Sequence, residues 1–182
     1  HQTSKLSDEV VNCWTKILSK TENTYLWLKN PNIIAKKNLM SFFKSKDIDM
    51  NRILFAENVD SYEEHLSRYS SADIFLDTFN YNGHSTLVEC IWSELPFVTF
   101  LGESFASRVG GSILHSLGLD ELICESHDEY VDKVIFYSLN KEKLKKIKNK
   151  IKLEKKVGGF FDQKKFTKDL EKTYEKILEI SP

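Results

Sequence analysis

Glycine and proline are scarce in this chain, seven and three among 182 residues, which argues against long disordered linkers. An excess of charge of one sign is missing as well. Lys and Arg number 26 against 27 Asp and Glu, and the formal net charge of −1 removes the bulk electrostatic case for a nucleic-acid or membrane partner. No apolar run approaches the ~20 residues of a transmembrane helix. The opening "HQTSKLSDEV" has no apolar core of the kind a signal peptide carries, and no initiator methionine, so a fragment or processed chain is expected. Cysteine is rare too: Cys13, Cys90 and Cys124 are scattered, odd in number and set in apolar surroundings. That pattern gives neither metal spacing nor a disulfide framework and reads as reduced, buried thiols in a cytoplasmic protein.

What is present is an ordinary globular composition, 41% hydrophobic and 12% aromatic, in a chain long enough for one sizeable core. Short apolar runs alternate with helix-period segments. "LSDEVVNCWTKILSK" places Val10, Val11, Trp14, Ile17 and Leu18 on one helical face, with Ser7 or Asp8 as its cap. The strand-like runs "TYLWLKN", "RILFAEN", "IFLDT", "FVTFLG" and "ELICES" follow. Between them lie the helical "NIIAKKNLMSFFKSK", "SYEEHLSRYSSA" with a Ser61/Glu64 capping box, "STLVECIWSE" and "SFASRVGGSILHSLG". This alternation predicts an α/β fold, a parallel sheet with helices on its faces. From residue 127 to 182 the pattern turns helical, with Gly158-Gly159 as a stop and Asp162 as the cap of a last helix. The lysines of "NKEKLKKIKNKIKLEKK" surround Leu144, Ile147, Ile151 and Leu153, a solvated face rather than a nucleic-acid surface.

Ligands of a parallel α/β sheet sit outside the carboxyl ends of its strands, so the strand-to-helix turns are the places to search. The turn after "IFLDT" offers Asn82, Gly83, His84, Ser85 and Thr86, then a helix holding Glu89. Free amides at a helix start, two hydroxyls and an imidazole can hold phosphate, and Glu89, one turn in, can accept from ribose hydroxyls. The plainer alternative is that Ser85 caps the helix and His84 is a surface residue. After "RILFAEN", His65 and Arg68 share a helix face near Asp60, where an imidazole can stack on a base; intrahelical pairing of Glu64 with Arg68 is the alternative. Gln2 and Lys5 precede the first helix, and a lysine there can act as a point charge on phosphate. Gly110-Gly111 inside a helix points to close helix–sheet packing.

The run "NRILFAENVDSYEEHLSRYSSADIFLDTFNYNGHSTLVECIWSELPFVTFLGESFASRVGGSIL", with "YLWLKN" before it and "FFDQKKFTKDLEKTYEKI" after it, resembles the C-terminal catalytic lobe of the family 41 glycosyltransferases, the O-GlcNAc transferase and SPINDLY proteins. The resemblance runs from Gln2 to about Ile177. It implies a Rossmann-like, donor-binding half of an inverting GT-B enzyme across residues 1–182, unlikely to turn over alone. The implied activity is transfer of N-acetylglucosamine from UDP-GlcNAc to Ser or Thr of an acceptor protein, with no metal cofactor. An N-terminal lobe carrying the acceptor-side base, and tetratricopeptide repeats, belong to the same picture. Carried over residue by residue, it implies that Gln2 and Lys5 contact the diphosphate and that Lys5 stabilises the leaving group. His84, Ser85 and Thr86 hold phosphate, His65, Arg68 and the backbone at Asp60 border the base, and Glu89 meets the ribose. Two departures leave the donor open: Tyr62 stands where O-GlcNAc transferase has a ribose-contacting lysine, and Glu89 replaces a shorter aspartate. GDP-fucose is the alternative donor, and a non-catalytic nucleotide-binding or scaffold module the alternative class.

Overall fold

Five short strands, each followed by a helix, set the framework. The computed structural model describes residues 3–180. After a 3-10 turn, Thr3–Lys5, the order is α1 (Asp8–Lys20), β1 (Leu26–Lys29), α2 (Ile33–Lys44), β2 (Ile53–Ala56), α3 (Tyr62–Ser67), β3 (Phe75–Leu76), α4 (Ser85–Trp92), β4 (Phe97–Phe100), α5 (Val109–Ser116), β5 (Ile123–Cys124), α6 (His127–Leu139), α7 (Lys141–Val157) and α8 (Gln163–Ile180). Every pairing is parallel, as helical crossovers require. β1 aligns with β2 from Leu26↔Ile53 to Lys29↔Ala56. β3 pairs with β4 (Phe75↔Phe97), and β4 with β5 (Thr99↔Ile123).

The single sheet expected from the pattern is divided into β1–β2 and β3–β4–β5. Between the two lies a cleft that Leu26 and Leu28 line from one side and Ile74 and Leu76 from the other. β3 and β5 are only two residues long, yet their ladders continue through Asp77 N–H to Val98 O at 3.1 Å and Leu101 N–H to Cys124 O at 2.8 Å.

Local chemistry explains most element boundaries. Ser7 caps α1 by accepting from Val10 N–H, and all five apolar residues expected on its inner face are buried, with α6 packed against α1. Ser61 accepts from Glu64 N–H and starts α3, which gives way at Arg68 to a 3-10 turn, Arg68–Ser71. The helix expected over "SFASRVGGSILHSLG" is split. Ser104 and Ser107 form a capping box around a 3-10 turn, Phe105–Ser107, and α5 begins only at Val109. In α5, a Cβ on Gly110 would stand 2.5 Å from Thr99 Oγ1 and 2.8 Å from Asp77 Oδ2, so the close packing expected of the glycine pair is real.

α4, β4 and α6 supply the centre of the core, where Leu87, Cys90, Ile91, Phe97 and Tyr130 are fully enclosed. All three cysteines are free and buried. In α7, Leu144, Ile147 and Ile151 are buried while most of the lysines are exposed; Leu153, expected with the apolar set, is 57% exposed because it falls off that stripe. Asp162 accepts from Lys165 N–H and caps α8 as expected. No helix among the described residues is long and apolar enough to cross a membrane.

Candidate functional site

The loop from Asp77 to His84 is built on one buried carboxylate. Asp77 Oδ1 accepts from Thr78 N–H at 2.9 Å and Gly83 N–H at 2.8 Å, and Oδ2 accepts from the Thr99 hydroxyl at 2.7 Å. Burial pushes its pKa up to about 7, opposed by those three donors and by the charge of Lys5. Asn82, also buried, bonds through its amide to Thr78 O and accepts from Gly110 N–H, tying the loop to α5. The loop is therefore pinned from beneath, and its upper side carries the exposed ring of Tyr81.

His84 is the residue before α4, and no side chain caps that helix. The amides that open an α-helix have no intrahelical acceptors, so those of Ser85 and Thr86 stand at the positive end of α4 with both hydroxyls beside them. The alternative in which Ser85 is the cap does not hold, since Ser85 is the first helical residue. His84 Nε2 is buried and has no hydrogen-bond partner among the described residues. Its ring stacks on Tyr81, centroids 4.9 Å apart and planes 19° from parallel, with Phe105 against its edge.

Lys5 comes to the same loop from 77 positions away. Its Nζ donates to the Asn82 carbonyl at 2.9 Å and lies 4.1 Å from the Tyr81 ring centroid. Partial burial lowers its pKa, with Asp77 acting against that. Lys5, Tyr81 and His84 thus form one layered group beside the start of α4.

On the other side of Ser85 opens the inter-sheet cleft, about 1350 Å³, and His65, Arg68, Tyr69, Ser85, Thr86 and Glu89 line its polar end. Glu89 is the centre of that end. Tyr69 Oη donates to Glu89 Oε2 at 2.9 Å, His65 Nε2 lies 3.4 Å from the same oxygen, and Tyr62 Oη lies 3.4 Å from Oε1. Arg68 donates to the carbonyl of Glu57 at the end of β2.

Of the residues singled out from sequence, His65, Arg68, Ser85, Thr86 and Glu89 gather in the cleft, while Lys5 and His84 stack at its border. Asp60 is exposed at a bend and does not line the cleft, though its neighbours Asn58 and Val59 do. Gln2 lies outside the described residues. Sequence reasoning missed Asp77, Tyr69 and Tyr81. An aspartate ending an apolar run was a signal for the first; nothing local distinguished the two tyrosines. Among the described residues no group of three or more His, Cys, Asp or Glu could hold a metal ion.

The sequence profile described as "Glycosyl transferase family 41" matches residues 1–170. The chain is 31% identical over 97% of its length to a probable UDP-N-acetylglucosamine–peptide N-acetylglucosaminyltransferase SEC of Arabidopsis thaliana, and 32% identical over 94% to the corresponding transferase of Caenorhabditis elegans. A SPINDLY protein of Solanum lycopersicum is 27% identical over 94% of the chain. The chain spans only 18%, 15% and 19% of those three relatives. A solved mutant of the Thermobaculum terrenum O-GlcNAc transferase superposes with a TM-score of 0.87 at 25% identity, covering 95% of this chain and 34% of that one. The divided parallel sheets with flanking helices are thus a Rossmann-like half of a GT-B fold, and the chain belongs to glycosyl transferase family 41.

Proposed function

We propose that this chain is the donor-binding lobe of an inverting protein O-glycosyltransferase, and that its donor is UDP-GlcNAc. The observation that carries the proposal is the uncapped start of α4, with Ser85 and Thr86 at its tip and Lys5 and His84 layered beside it. A diphosphate there meets the amides that open the helix, two hydroxyls, an ammonium and an imidazole nitrogen that has no other partner among the described residues. Names of the relatives support the nucleotide sugar and the peptide acceptor.

In the reaction, the acceptor hydroxyl attacks the anomeric carbon from the face opposite the diphosphate. The bond from that carbon to the β-phosphate oxygen breaks with its electron pair on the oxygen, and the hydroxyl proton passes to a base on the acceptor side, supplied by the rest of the parent protein. Negative charge grows on the leaving diphosphate, where Lys5 and the amides of α4 are set to meet it. Lys5 gives one N–H to the Asn82 carbonyl, and its ammonium has two more to offer the diphosphate. Gln2 adds a donor to the diphosphate, and His65, Arg68 and the backbone near Asp60 border the base. The buried free thiols fit a cytoplasmic setting.

Tyr62 and the longer Glu89 favour a second reading, in which the donor is GDP-fucose. Calorimetric titration with UDP and GDP separates the two. Selective UDP binding, lost in Lys5→Ala and His84→Ala, is the expected result; selective GDP binding moves the donor to fucose. In the complete enzyme Lys5→Ala is expected to lower turnover by ~10²–10³-fold. Failure of the complete enzyme to bind either nucleotide would leave a scaffold.

A further inference from the structure

Three aromatic side chains from one neighbouring segment address Glu89 at the polar end of the cleft, and they do not address it equally. Tyr69 makes the short bond, 2.9 Å to Oε2; His65 and Tyr62 stand at 3.4 Å, one on each oxygen. Tyr69 Oη also lies 3.5 Å from His65 Nε2, and the two rings meet edge to face at 5.5 Å. Tyr62 is 59% exposed, and its ring lies alongside His65. Tyr69, by contrast, packs against the hydrophobic core. One partner of the carboxylate is anchored against the core and the other is exposed to water.

We infer that Tyr69 is a positioning residue: it holds Glu89 Oε2 so that Oε1, which faces the exposed Tyr62 hydroxyl at 3.4 Å, is presented to a ribose hydroxyl of the bound nucleotide. This rests on the nucleotide reading above and deepens it. A glutamate has one more rotatable bond than an aspartate, and an untethered carboxylate in a cleft of about 1350 Å³ samples many positions. The bond from Tyr69 removes that freedom. Burial raises the Tyr69 pKa, so the phenol keeps its proton and remains a donor. Tyr62 supplies Oε1 with a partner until the ligand displaces it, so the carboxylate is hydrogen-bonded in both states. A purely structural clamp between the 3-10 turn Arg68–Ser71 and α4 explains the Tyr69 bond but not its placement at the mouth of the cleft, where Glu89, His65, Ser85 and Thr86 all line the same space.

The test is titration of the protein and its Tyr69→Phe variant with UDP, 2′-deoxy-UDP and 3′-deoxy-UDP, and with the matching guanosine set. The parent protein is expected to prefer the ribonucleotide over at least one deoxy analogue by about tenfold to hundredfold, the worth of a hydrogen bond to a charged group. Tyr69→Phe is expected to collapse that ratio to within about threefold by weakening the ribonucleotide alone. An unchanged ratio in Tyr69→Phe overturns the inference, as does a parent protein that binds nucleotide without regard to its hydroxyls; in both cases the nucleotide site stands. If no nucleotide binds to the parent protein, the site itself is wrong and the inference goes with it. Glu89→Gln, which leaves Tyr69 in place, is a second arm: it is expected to weaken the ribonucleotide relative to the deoxy analogues, and an unchanged ratio there overturns the inference as well.

Discussion

Asp77 is the residue on which the loop's shape depends, and its burial has a consequence for pH. Its ordinary value of 3.8 is raised to about 7 in the folded chain. Between those two values the folded protein holds a proton that the unfolded chain has released, so stability falls as pH rises across that window. The contribution is complete below about pH 4 and gone above about pH 7. Urea unfolding of the parent and of Asp77→Asn, at a series of pH values, should show the parent's advantage shrinking by up to a few kcal/mol over that range and constant above it. A difference that is flat throughout would show that Asp77 does not titrate there. Asparagine is the right comparison, because its amide oxygen can still accept from Thr78 and Gly83 while its NH₂ faces the Thr99 hydroxyl. The other residues that matter here act in pairs or layers. Lys5 is held by the Asn82 carbonyl and Tyr81, and His84 by Tyr81 and Phe105. Alanine at Tyr81 would therefore disturb two proposed phosphate ligands at once.

At the scale of the element, the proposed phosphate site sets stability of α4 against binding. An eight-residue helix with no side-chain cap has given up about 1 kcal/mol that Ser, Thr, Asp or Asn at the cap would contribute. Ser85→Asp restores part of it by placing a carboxylate at the positive end of the dipole, a gain of ~0.3–1 kcal/mol. The same carboxylate repels a diphosphate. Thermal unfolding of Ser85→Asp should be unchanged or slightly higher, with nucleotide binding lost in the same sample; retained binding would move the phosphate site away from α4. α5 tells a related story in packing. Its start at Val109 rather than at Ser104 follows from the Ser104–Ser107 capping box, which closes one 3-10 turn and resets the chain. Gly110 then passes so close to Thr99 and Asp77 that no side chain fits, and this is how the loop, β4 and α5 come to share one contact.

For the whole molecule, the cleft between β1–β2 and β3–β4–β5 and the outlying α8 are the two features that set it apart from an ordinary closed α/β domain. Every described side chain of α8 from Gln163 to Glu179 is exposed, including Phe166, Leu170, Tyr174 and Ile177 along one face. Truncation after Asp162, which keeps Phe161 against Trp92, is accordingly expected to leave the unfolding midpoint of the body unchanged. A fall of several degrees would show that α8 contributes to the fold. Much of this architecture was legible beforehand. The apolar period placed α1, α6 and α7, the turn at His84–Thr86 was marked by its residue types, and the Gly110-Gly111 pair pointed to close packing. The sequence by itself determined most of the strands and helices, because periodicity, capping and turn chemistry act within a few residues. Tertiary structure alone decided that Lys5 reaches a loop 77 positions away, that Tyr69 holds Glu89 and that the sheet is divided. Those outcomes depend on which surfaces meet when helices close over the strands, and no local pattern carries that information.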